Sequence, residues 1–73
     1  MDGQFEKVVA VKQQSHRSWK NLYAAANKEL GLPYSFSTDK VEEFSMYYLS
    51  EAVDKSGLTV SEIKAEIEKR GLL

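Results

Sequence analysis

His16 is the only histidine among 73 residues and cysteine is absent, so the side chains that most often attack, relay protons or hold zinc reduce to one imidazole. A lone histidine makes no metal site, and any Ser/His/Asp set would have to be assembled around this one residue at the edge of an irregular segment. Carboxylates occur in pairs at Glu42 and Glu43, Glu62 and Glu66, and Glu66 and Glu68, the residue type that general acid–base work requires. On short amphipathic helices such pairs form a solvated face, which is the expectation for all of them. Glycines stand singly at Gly3, Gly31, Gly57 and Gly71, with no run that could cradle a phosphate. The expectation is a protein that is not an enzyme, with no catalytic residue, metal, cofactor or small-molecule substrate.

Binding chemistry is better represented. Eight aromatic residues in 73 exceed what a minimal three-helix core hides easily, and tyrosine and tryptophan bury much area at interfaces for little entropy. Trp19, Tyr23 and Tyr47 are the candidate partner contacts, Tyr47 because helical phasing sets it among Lys40, Glu43 and Asp54 on a polar face. The competing expectation is that Trp19 belongs to the core and Tyr47 is an isolated surface ring. Arg17, Lys20 and Lys28 project to one side of a helix phased on Trp19, a patch suited to phosphate or an acidic protein, or simply a solvated face opposite the core.

The elements that position these residues read as helices. Trp19, Leu22, Tyr23, Ala26 and Leu30 recur at helical spacing, and Gly31-Leu32-Pro33 closes that helix. Upstream, Phe5, Val8 and Val9 fall on the same face, but Lys12 and Ser15 land within the apolar stripe. That predicts a break or kink near Gln13 to His16, with a short strand over Val8 to Val11 as the other reading. Pro33 to Phe36 is expected to be extended and to bury both rings on one side. Ser37 is the expected N-cap of the next helix, with Phe36 and Val41 as its staple. That helix is expected to bury Val41, Phe44, Tyr48, Leu49, Ala52 and Val53. Gly57 then supplies a left-handed cap, Thr59 and Glu62 have capping-box spacing, and a final helix runs from Val60 to about Arg70, burying Val60, Ile63 and Ile67.

Length allows one domain, residues 1–73, near the lower limit for folding without disulfide or metal. Net charge is −1, with five basic against three acidic residues in 1–31 and five against eight in 32–73. No apolar run approaches the roughly 20 residues of a membrane span, and Met1-Asp2 does not open a basic and apolar leader; the expectation is a soluble, cytoplasmic chain with no membrane partner. No internal repeat, low-complexity tract or flexible linker is visible.

The tight corner at Gly57-Leu58-Thr59 is similar to that of helix-turn-helix proteins, with Val53, Gly57, Ser61 and Ile63 near that motif's small, glycine, polar and aliphatic positions. Ser56 and Glu66 depart from it, standing where the motif takes apolar residues. Leu58 to Leu72 resembles the first helix of a SAP-type or LEM-like module, and Tyr34 to Leu72 resembles a ribbon-helix-helix repressor with Tyr34-Ser35-Phe36-Ser37 as its strand. These resemblances imply nucleic-acid binding, the last as an obligate dimer. The residues themselves point to an all-α, three-helix domain, the first helix broken near Gln13, that acts as a regulatory or adaptor module. It would bind another protein, or itself, through an aromatic and apolar helical surface. The alternative is a dimeric DNA-binding regulator.

Overall fold

Two corners of the same design organise the chain. In the computed structural model, which describes residues 2–73 and for Asp2 the backbone alone, four helices follow one another: α1 (Asp2–Ser15), α2 (Trp19–Glu29), α3 (Asp39–Ser56) and α4 (Val60–Lys69). Met1, part of the expected 1–73 domain, lies outside the described residues. The described residues contain no strand, so Val8 to Val11 are helical. The three-helix reading with a broken first helix becomes α1 and α2, divided at His16-Arg17-Ser18.

The division is made by hydroxyls. Ser15 donates to the Lys12 carbonyl at 2.7 Å and accepts the Arg17 N–H at 3.0 Å, His16 turns into the left-handed region at φ 58°, and Ser18 caps α2 by accepting the Asn21 N–H at 3.2 Å. The second corner repeats this device. Ser56 donates to the Ala52 carbonyl at 2.6 Å and accepts the Leu58 N–H at 3.1 Å, Gly57 takes φ 74°, and Thr59 caps α4 within a reciprocal capping box with Glu62. Both second helices then end in the same 6→1 and 5→2 bonds: Leu32 and Gly31 donate to Asn27 and Lys28, while Leu72 and Gly71 donate to Ile67 and Glu68.

The expectation of no repeat is therefore corrected. Buried positions correspond as Val8 with Leu49, Val11 with Ala52, Ser15 with Ser56, Leu22 with Ile63 and Ala26 with Ile67. Few of these residues are identical, because burial and capping constrain residue class rather than residue name.

One core forms where the two units meet: Phe5, Val8 and Val11 from α1, Ala25 and Ala26 from α2, Leu49 and Ala52 from α3, Leu58 from the corner, and Ile63 and Ile67 from α4. α3 lies along both α1 and α2, and α4 closes on α2. The radius of gyration, 10.9 Å, matches the roughly 11 Å of a fully packed chain of this length. No described helix is long and apolar enough to cross a membrane.

Three local expectations are corrected. Thr38, not Ser37, caps α3, accepting the Val41 N–H at 3.1 Å, so Phe36 and Val41 do not occupy staple positions. Of the Tyr34 and Phe36 rings, which touch at a centroid distance of 5.7 Å, only Phe36 is half-buried against the core, and Tyr34 stays exposed. The buried line of α3 is Ser45, Leu49, Ala52 and Ser56, which leaves Phe44 at 47% exposure. The phase slips because small Ser45 and Ala52, facing a neighbour rich in alanine, allow closer helix approach than aromatic rings would.

Candidate functional site

The same rotation of α3 that seats Ser45 in the core turns Phe44 and Tyr47 outward, while Tyr48 beside them is half-buried against the core. Residues at i, i+3 and i+4 share one face of a helix, so the three rings form a single patch. Tyr47 and Tyr48 meet edge to face, centroids 5.0 Å apart and planes at 89°, and with Glu43 and Phe44 they line a recess of about 180 Å³. Tyr47 is 62% exposed, close to the most exposed of the large apolar residues. At one border the Arg17 guanidinium lies 5.6 Å from the Phe44 ring, placed there by the first corner, with its Nε buried and unpartnered.

The other aromatic candidates do different work. Trp19 stacks on Phe5 at 5.6 Å with planes 14° apart, and the Lys12 ammonium sits over the Trp19 ring at 5.6 Å, so Lys12 lies in the apolar stripe without breaking the helix. Tyr23 donates its hydroxyl to Glu68 Oε2 at 2.7 Å and carries Lys64 over its ring at 5.3 Å, tying α2 to α4. That hydrogen bond to a carboxylate, with desolvation and the carboxylate's charge behind it, holds the Tyr23 phenol above its ordinary pKa. Trp19 and Tyr23 thus join helices, and Tyr47 alone of the three aromatic candidates faces outward.

The basic candidates separate as well. Lys28 is ion-paired to Glu42 at 3.0 Å and lies 5.6 Å from the Tyr34 ring, and its pKa is raised chiefly by the Glu42 bond. Lys20 lines an open groove of about 370 Å³ with Tyr23, Asn27 and Tyr34, between α2 and the loop that follows it. Arg17 joins the aromatic patch instead. The expected row of three cations is therefore one neutralised lysine, one groove lysine and one arginine stacked on a ring.

Carboxylates are likewise assigned. Glu66, expected on a solvated face, is buried at 7% exposure and bonds Arg70 Nε at 2.9 Å. Glu62 accepts the Thr59 N–H at 2.9 Å, which holds its carboxyl below the usual range. Among the described residues no three His, Cys, Asp or Glu side chains gather as metal ligands. Phe44 is the patch residue that sequence reasoning misplaced, and the signal that locates it is Ser45, whose burial fixes the phase of the helix.

No known protein family, curated protein or solved structure matches this chain.

Proposed function

We propose that the chain is a small non-enzymatic regulatory or adaptor module of the cytoplasm that binds another protein through the outer face of α3, with Tyr47 at the centre and Phe44 and Tyr48 beside it. One observation carries this reading: the internal repeat supplies its own control. The positions of α1 that correspond to Phe44, Tyr47 and Tyr48 hold Gly3, Glu6 and Lys7, all exposed. The architecture accepts glycine and a carboxylate where Phe44 and Tyr47 stand, so these two exposed rings answer to something other than folding, with Tyr48 half-buried against the core beside them. Outward aromatics rimmed by charge are what the energetic centre of an interface looks like before its partner arrives.

The DNA-binding alternative rests on the corner between α3 and α4. Glu62 and Glu68, on the side of α4 that would approach phosphate, are used in internal bonds and set carboxylates where a phosphate-binding face needs cations.

Photocrosslinking tests the proposal. A benzoylphenylalanine at position 47 is expected to capture one defined protein that the same probe at Lys69 does not. The purified pair should then bind with weak salt dependence. Capture of a second copy of the chain would redirect the reading to self-association. Retention of duplex DNA that falls steeply with salt, with no protein captured at 47, would overturn it in favour of the alternative.

A further inference from the structure

The chain shows, on itself, how it holds a cation. Arg70 rests its guanidinium 4.4 Å from the Phe5 ring centroid while its Nε bonds Glu66 at 2.9 Å. Lys28 lies 5.6 Å from the Tyr34 ring and 3.0 Å from Glu42. Lys64 lies 5.3 Å from the ring of Tyr23, whose hydroxyl is bonded to Glu68. The Arg70 and Lys28 seats combine the negative face of a ring with a carboxylate bonded to the cation, the arrangement that attracts a cation both through the ring quadrupole and by charge. Lys12 on Trp19 and Arg17 on Phe44 bring to five the rings, out of eight, that already carry a cation of the chain.

Phe36, Tyr47 and Tyr48 are the rings with no such cation among the described residues; Phe36 and Tyr48 are half-buried against the core, and Tyr47 is exposed. Tyr47 and Tyr48 differ from it in having a carboxylate beside them. Glu43 lines their recess and has no ion-pair partner among the described residues, while Lys55, further along α3, is held by Glu51 at 2.8 Å, within electrostatic reach of the Tyr47 hydroxyl but not over its ring. Two rings at right angles with a carboxylate beside them thus repeat two ingredients found at Arg70, a ring face and a carboxylate.

We infer that the Glu43–Tyr47–Tyr48 corner is a vacant cation seat that receives an arginine side chain from the partner protein. The inference rests on the docking reading above and names the chemistry of what docks. Arginine fits better than lysine because its weakly hydrated planar guanidinium stacks on a ring while its fork bonds a carboxylate through two N–H groups, leaving no donor stranded. The recess, about 180 Å³ and open to solvent, suits a side chain carried in on another backbone more than a small molecule that needs enclosure.

The test uses the full chain and two blocked peptides, one with a single arginine flanked by glycines and the other with citrulline, its neutral isostere, in its place. Titrations are followed by the ring-proton resonances of Tyr47 and Tyr48. The arginine peptide is expected to shift both rings and to bind at least about fivefold more tightly than the citrulline peptide. Glu43→Gln and Tyr47→Leu should each weaken it about two- to fivefold, with the melting curve unchanged. Equal binding of the two peptides, or shifts centred on other residues, would overturn the seat. The two readings fail differently. If Tyr47→Ala weakens the identified partner but Glu43→Gln does not, the docking face stands and the arginine seat falls. If the arginine peptide binds at Tyr47 and no partner depends on that face, the seat stands and the docking reading falls.

Discussion

Three serines sit almost fully buried at the helix surfaces that meet in the core, and removing their hydroxyls should have opposite effects. Ser45 is 0% exposed and its Oγ has no hydrogen-bond partner, whereas Ser15 and Ser56, each 5% exposed, bond a carbonyl behind and an N–H ahead. An unpartnered buried hydroxyl costs about 1–3 kcal/mol, and alanine is favoured over serine within a helix by about 0.5 kcal/mol. Ser45→Ala should therefore stabilise the protein by about 1–2 kcal/mol, the small void left behind taking back part of the gain. Ser56→Ala leaves the buried Leu58 N–H without an acceptor and should destabilise by about 1–2 kcal/mol, with Ser15→Ala near the lower end of that range. For a domain of this size each kcal/mol moves the melting temperature by about 4–8 °C, so Ser45→Ala and Ser56→Ala should melt at least about 8 °C apart, on opposite sides of the parent. Thermal melts followed by far-ultraviolet circular dichroism and by the fluorescence of Trp19 supply the readout. A Ser45→Ala protein that melts below the parent would refute the assignment of the α3 core line, and a neutral Ser56→Ala would refute the hydroxyl-built corner.

Further tests address the corners and the charged contacts. His16 occupies the left-handed region without being glycine, so His16→Gly should stabilise by about 0.5 kcal/mol. Gly57→Ala should cost about 1–2 kcal/mol in denaturant titration, through backbone strain alone, since the added Cβ would meet Gln4 Nε2 at an ordinary 3.7 Å. Glu62 has a folded pKa below its unfolded one, so its contribution is present above the unfolded value of about 4.3 and is lost as pH falls through the folded value. Glu62→Gln should accordingly flatten the acid limb of the stability–pH curve, and an unchanged limb would count against the capping-box charge. Tyr23 shifts the other way: its bond to Glu68 contributes below pH of about 10 and is lost as pH rises through the raised folded value. An ultraviolet phenolate titration should show one late tyrosine that Glu68→Gln returns toward the normal range.

The helical class and the three glycine-ended helices were readable because periodicity and capping chemistry are local, as Thr59-Val60-Ser61-Glu62 illustrates. The phase of α3 was not readable. Val41, Phe44 and Tyr48 outweigh Ser45 on any hydrophobicity scale, and only the approach of α1 and α2 decides that the small residues face inward. The repeat was hidden for a related reason: Leu22 and Ile63, or Val11 and Ala52, fill equivalent places as different residues, and the equivalence lies in hydrogen bonds and burial. For the surface, composition announced an excess of rings but could not say that Trp19 would stack on Phe5 and Tyr23 would bond Glu68, which leaves Tyr47 outward. Those are contacts between distant parts of the chain, and no local pattern encodes them.

The affinity of the purified chain for the protein captured at position 47, measured by calorimetry for the parent and for Tyr47→Ala, tests the docking account most directly. A loss of about 30-fold or more, the scale of an interface hot spot, is expected, with the melting temperature held within about 4 °C of the parent. Undiminished affinity of a folded Tyr47→Ala protein would contradict it.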